Sequence, residues 1–200
     1  MGLLFSFQLQ AIKKEGKILY ENDTIDVIFE IPLRLFSQEP NYKKIQYKIT
    51  YFDSRGGKKV LKPGDAREIR FSHENDQIRM LSRNNTLGIE DIYSFKSDIF
   101  LKLELDGELR LFMYYTTNTV PGVYNGSSGT ISGGYTENIE KYVFQKGNGE
   151  LKRPKSISFK NDMVEYFSDC PKLSQKIDNQ EFGKKDIKAI VSFYNSNCNE

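Results

Sequence analysis

The stretch DIFLKLELDGELRLFMYY, residues 98–115, sets Ile99, Leu101, Leu103 and Leu105 at every second position, breaks at Asp106-Gly107, and resumes at Leu109, Leu111, Met113 and Tyr115. Successive side chains of a strand point to opposite faces, so this alternation predicts two half-buried strands joined by a hairpin. Asp-Gly between alternating runs is a strong hairpin signal, because the central residues of a tight turn need positive φ. A strict two-residue turn would set Leu105 against Glu108 and Leu103 against Arg110, so the leucine pattern calls for a bulge or a longer loop.

The same alternation appears on either side. Lys44–Tyr51 (KIQYKITY) reads as a half-buried strand, and shorter strands are expected at Lys17–Tyr20, Thr24–Phe29, Lys58–Leu61, Arg67–Phe71, Gln77–Ser82 and Ile139–Gln145. Between them lie turn chemistries: Ser54-Arg55-Gly56-Gly57, Lys62-Pro63-Gly64-Asp65 and Gly147-Asn148-Gly149. Short strands with no intervening helix-length pattern up to residue 150 predict an antiparallel meander, either an open sheet or a barrel- or sandwich-like body. The fold class is therefore α+β, mainly β. The abundance of Phe (14) and Tyr (12) without Trp points the same way.

The period changes after residue 155. Asn161-Asp162 is expected to cap a short helix presenting Met163, Val164 and Phe167, and Pro171 suits the first turn of another carrying Leu173 and Ile177. Ile187, Ile190, Val191 and Tyr194 form a stripe at i, i+3, i+4 and i+7, with Asp186 capping or opening that helix. The chain thus divides into 1–11, a β-rich domain over 12–155 and a helical tail over 156–200. Met1–Ala11 (MGLLFSFQLQA) reads as the last part of a secretory signal that lacks its basic leader, or as a first strand with an apolar face. No apolar run reaches the roughly 20 residues of a membrane-spanning helix.

Composition narrows the function classes. Lys and Arg number 29 against 27 Asp and Glu and are scattered, and the LKRPK run at 151–155 carries three charges beside a turn, so no nucleic-acid partner is expected. Neither phosphate-binding glycine motif can be written across the glycine-rich, uncharged loop 118–134. That loop reads as a hairpin tip, or as a ligand contact through Tyr124. The single histidine, His73, lies in the polar stretch SHEND and is expected to be an exposed turn residue; one imidazole does not make a histidine-based metal site, and no cofactor or metal is expected. Two carboxylates at glycosidase spacing are compatible with 27 acids, but no pair is singled out. Cys170 and Cys198 have neither redox nor zinc spacing. In an exported chain they would form a structural disulfide; in a cytosolic one they would be two free thiols.

The C-terminal pattern Tyr166-Phe167-Ser168-Asp169-Cys170-Pro171, then Asp186-Ile187-Lys188-Ala189-Ile190-Val191 and Tyr194-Asn195-Ser196-Asn197-Cys198, is similar to the tail of uncharacterised exported proteins of Bacteroidota. Asp98–Leu103 with Tyr114-Tyr115, and Pro63-Gly64-Asp65-Ala66, resemble the same group, so that the likeness covers most of residues 17–198. The resemblance implies export, a β-rich body and a Cys170–Cys198 disulfide, and carries no activity across. Asp23-Thr24-Ile25 resembles the short site at which such bacteria O-glycosylate exported proteins, with Thr24 as acceptor or as an ordinary strand opener. The expected function is a non-enzymatic exported module binding or scaffolding at the cell envelope, with an envelope protein or glycan as partner. A carboxylate-dependent hydrolase and a small-ligand carrier are the alternatives.

Overall fold

In the computed structural model, which describes residues 11–35, 37–87, 97–127, 129–155 and 157–198, the 98–115 stretch forms β7 (Asp98–Leu105) and β8 (Leu109–Val120). Three residues, Asp106 to Glu108, join them, so the longer loop required by the leucine pattern is present. Gly107 takes φ +150°, and a Cβ there would lie 2.4 Å from the Asn195 amide. The expectation for residues 1–11 falls, apart from Ala11, outside the described residues.

The strands before the hairpin are β1 (Ala11–Leu19), β2 (Thr24–Pro32), β3 (Ile49–Phe52), β4 (Lys58–Leu61), β5 (Glu68–His73) and β6 (Asp76–Asn84). Those after it are β9 (Val123–Asn125), β10 (Thr130–Ser132) and β11 (Tyr135–Lys146). Nine of them form an antiparallel sheet in the order β11-β8-β7-β6-β5-β1-β2-β3-β4, and β9 and β10 pair as a separate small hairpin. Two meanders, β1 to β4 and β5 to β8, share the β1–β5 pairing. β4 and β11 stand at the two ends of that order. By contact density the chain separates into one unit of 1–84 with 96–102 and another of 85–95 with 103–200.

In the first unit, Ile18, Phe29, Ile31, Ile49, Ile69, Phe71 and Met80 are buried on one sheet face, joined by Tyr42 and Ile45. The expected strand over 44–51 is only half realised. Tyr42–Ile45 is a helical turn, α1, and the strand begins at Ile49. Asn41 starts the turn by accepting the Lys44 N–H on its side chain at 3.1 Å, and the Gln46 carbonyl accepts from Phe100 N at 2.9 Å. Ile45 and Ile49 satisfy both a period of two and a helical i, i+4 spacing, so a short window does not separate the two readings. His73 is likewise not an exposed turn residue. It ends β5, pairs with Asp76 of β6, and leaves only 12% of its side chain accessible.

In the second unit the 118–134 segment is largely structured. β8 continues to Val120, β11 pairs with it from Tyr135, and β9–β10 close the end. The helices are α2 (Phe159–Tyr166), α3 (Pro171–Asp178) and α4 (Ile187–Asn197). Asn161-Asp162 does not start α2: Ser158 precedes its first residue and donates its hydroxyl to Asp162 at 2.7 Å, so the helix opens ahead of the expected cap. Asp186 ends a 3-10 turn, accepting the Gly183 N–H at 2.8 Å, and α4 follows. Leu109, Leu111 and Phe144 of the sheet pack with Met163, Phe167, Leu173, Ile177, Ile190 and Val191 in one core.

Two connections hold the helices to β8 and β11, and a third ties the helices to each other. Asn195 of α4 treats Leu109 as a strand partner would, accepting its N–H at 2.8 Å and donating to its carbonyl at 3.0 Å. Lys146 donates to the Tyr166 carbonyl (2.5 Å) and to Asp169 (2.6 Å), with its ammonium 4.5 to 5.2 Å from the ring centres of Tyr166, Phe167 and Tyr194. Tyr194 donates to the other Asp169 oxygen at 2.7 Å. Burial alone would raise the Asp169 pKa, but the bonds from Lys146 and Tyr194 hold it below its ordinary value. The third connection is the Cys170–Cys198 disulfide, with Cα atoms 5.4 Å apart, which ties the start of α3 to the end of α4.

Two stability measurements follow. Asn195→Ala strands a buried backbone donor and acceptor and is expected to lower unfolding stability by about 1–3 kcal/mol in denaturant titrations. Cys170→Ser with Cys198→Ser is expected to cost about 2–4 kcal/mol; in the wild type, intact mass after alkylation should show no modified thiol until reductant is added.

Candidate functional site

The register of the first unit assigns its polar face. Lys13, Glu15 and Lys17 of β1 lie opposite Glu30, Ile28 and Asp26 of β2, and Ile28 lies opposite Phe52 of β3. Lys17 also lies opposite Arg70 of β5, while Ser72 pairs with Gln77 of β6. All of these but Glu30 line an open trough of about 990 Å³, extended by Asp53 and Ser54 at the end of β3. The volume matches the upper range of small-ligand sites. Gly16 lies within it. A Cβ on Gly16 would meet the Arg70 carbonyl at 2.3 Å and the Phe29 ring at 2.7 Å, so the strand backbones approach more closely there than a side chain permits.

The floor is apolar. Ile28 is 43% exposed, and Lys13 and Lys58 lie over the Phe52 ring at 4.6 and 5.8 Å. Around it the charges neutralise one another. Lys13, Lys17 and Arg70 face Glu15, Asp26 and Asp53, three of each sign in the lining. Lys17 bonds Asp26 at 2.6 Å, and Lys59 bonds Asp53 at 2.9 Å. Asp53 also accepts the Arg55 and Gly57 N–H groups. Together, Lys59 first and the backbone donors after it, they bring its pKa down to about 2. That is opposite to what a glycosidase acid needs, so Asp53 suits a fixed anion and not a proton donor.

Arg70 is fixed from below. Glu68, buried between strands, takes Arg70 Nε and Arg79 Nε on the same oxygen at 2.6 Å each, and their terminal nitrogens approach its second oxygen at 3.2 and 3.3 Å. Burial would raise the Glu68 pKa; the hydrogen bonds from Arg79 and Arg70 outweigh it and hold the group below its ordinary value. The carboxylate thus stays charged and orients two guanidinium planes, Arg70 at the trough wall.

The residues singled out from sequence are not gathered at the trough. Thr24 is exposed at the start of β2, its N–H bonded to Asp23. Tyr124 is 65% exposed on β9, opposite Ile131. Cys170 and Cys198 lie among the helices. The trough residues escaped notice because they carry no motif; their common feature is alternate placement on neighbouring strands, and only the register adds Ile28 to Phe52 and Lys17 to Arg70. No family model, characterised protein or solved structure matches the chain.

Glu68→Gln should expose the cost of leaving two guanidinium groups facing each other. Because both arginines are partly solvated, the loss is expected at about 1–3 kcal/mol at neutral pH. A carboxyl whose folded pKa is depressed stabilises above its unfolded value, ~4.3, and that contribution disappears as pH falls through the folded value. Denaturant midpoints should therefore fall more steeply below about pH 4.3 in wild type than in Glu68→Gln.

Proposed function

We propose that this chain is a non-enzymatic binding module of the cell envelope whose trough holds a neutral, hydroxyl-rich polymer, a glycan strand. One observation carries the reading: an open trough on a sheet face with an apolar floor, Ile28 beside Phe52, inside a polar lining whose positive and negative groups balance in number, with Lys17 bonded to Asp26 and Asp53 to Lys59. A polyanion would need surplus positive charge, which such a lining does not provide. A glycan needs an apolar surface for the flat of a sugar ring and fixed donors and acceptors for its hydroxyls. Phe52 and Ile28 supply the first; Gln77, Ser72, Arg70 and Glu15 supply the second.

An envelope location is supported by the Cys170–Cys198 disulfide, since such bonds persist in oxidising compartments. Among the described residues no helix is long and apolar enough to cross a membrane. The Asp53 carboxyl, held near a pKa of about 2, favours binding over acid catalysis within the lining. On this reading Tyr124 and the β9–β10 hairpin are a second exposed contact for the envelope, and exposed Thr24 accommodates a sugar without disturbing the core.

Isothermal titration against neutral and anionic polysaccharide fragments tests the proposal. Binding to a neutral fragment is expected, weakened at least roughly tenfold by Phe52→Ala and nearly unchanged when salt rises from roughly 0.1 to 1 M. Binding confined to polyanions and abolished by salt would refute it. So would turnover of a glycoside that an acid substitution in the trough removes.

A further inference from the structure

Away from the trough, at the end of the β5–β6 hairpin, Glu39, His73 and Glu74 each bring one ligand-capable atom within 4.8 Å of the other two. His73 is the chain's one histidine. Both of its ring nitrogens are sealed from solvent, and among the described residues neither has a hydrogen-bond partner. A neutral imidazole has one donor and one acceptor to satisfy, and leaving such groups buried and unpaired is costly. Nε2 lies 3.9 Å from Glu39 Oε2, a distance too long for a hydrogen bond. It is, however, the separation of two ligands on one ion, since bonds of about 2.1 Å set ligand atoms roughly 3 to 4.2 Å apart.

Backbone placement supports the same point. The β5–β6 turn contains Glu74 and Asn75, and Glu74 has φ +52°, a conformation that glycine or asparagine adopts more easily. The glutamate at this position puts a carboxylate near His73. Glu39 arrives from the other side, on the loop between Leu33 and Pro40, whose ends are bridged, with its N–H held by Ser37 Oγ at 3.0 Å.

We propose that Glu39, His73 and Glu74 bind one divalent transition-metal ion, with zinc the best match. One imidazole nitrogen with two carboxylates suits zinc or its first-row neighbours, whereas calcium and magnesium prefer all-oxygen sites. Three protein ligands leave one tetrahedral position for water. The ion clips the 33–40 loop to the β5–β6 hairpin, satisfies one orphaned nitrogen of His73, and stabilises the first unit by binding its folded form alone. The site is independent of the glycan reading.

The test uses the full, tag-free chain, disulfide intact, stripped with chelator and titrated with zinc chloride and, separately, calcium chloride. Calorimetry should show one zinc per chain and a raised melting temperature, with calcium at least roughly tenfold weaker. The ring C–H signals of the lone histidine, unambiguous in a proton NMR spectrum, should shift and saturate at the same stoichiometry. Glu39→Gln and His73→Asn should each weaken zinc at least roughly tenfold. Glu74→Gly guards against a merely misfolded variant: it removes a ligand while easing the turn, so the metal-free melting temperature should hold or rise as zinc binding is lost. Zinc binding that leaves the His73 signals unmoved, equal affinity in Glu74→Gly, or no zinc uptake at millimolar concentration would each overturn the proposal.

Discussion

Close backbone approach at Gly16 is the constraint on which the first unit depends. β1 is hydrogen-bonded on both sides, to β2 and to β5, and Gly16 lies where the Arg70 carbonyl and the Phe29 ring press in to distances that no Cβ tolerates. β1 joins the two meanders, so a residue that pushed β5 away would separate them. The same position also leaves space on the polar face. With Val27 and Phe71 paired opposite Gly16 and their side chains turned into the core, the backbone there forms part of the trough floor.

Polar groups in this unit are organised by sharing rather than by isolated pairs. One buried carboxylate, Glu68, orients two arginines, and Asp53 ties a hairpin loop through two backbone donors while also holding Lys59. Such arrangements keep side chains fixed and leave little net charge, which favours hydrogen bonding to a neutral ligand over long-range attraction of a charged one. The second unit applies the same device to packing. Asp169 accepts from Lys146 and Tyr194, and that ammonium is surrounded by aromatic rings, so a strand end, a helix end and the turn before Cys170 are fixed together. The disulfide reinforces an end that is already packed against Leu109, Leu111 and Phe144.

His73 shows how a residue can be misplaced by its immediate neighbours in sequence. Ser, Glu, Asn and Asp around it suggest an exposed turn, and the turn exists, but it begins one residue later. Because β5 alternates, His73 shares the face of Ile69 and Phe71 and turns inward, where the Glu39 carboxylate lies 3.9 Å from its ring. Nothing local to SHEND reports that approach. Glu39 is 34 positions earlier, and only the folded chain brings its carboxylate to the imidazole.

What the sequence determined by itself is therefore local and periodic. Alternation in 98–115 specified β7 and β8, Asp106-Gly107 their turn, Pro171 the start of α3, and the Ile187–Tyr194 stripe the buried side of α4, because each signal is written within about a dozen residues and reflects backbone geometry. The tertiary structure decided what depends on partners distant in sequence. It set the β1–β5 pairing that joins two meanders, the helical turn over 42–45 under an Asn41 cap that displaces the start of the strand expected over 44–51, the alignment of Ile28 with Phe52 across the trough, and the meeting of Glu39 with His73 and Glu74. The physical reason is that strand pairing and loop closure are set by long-range hydrogen bonds and burial, which a residue's immediate neighbours do not encode.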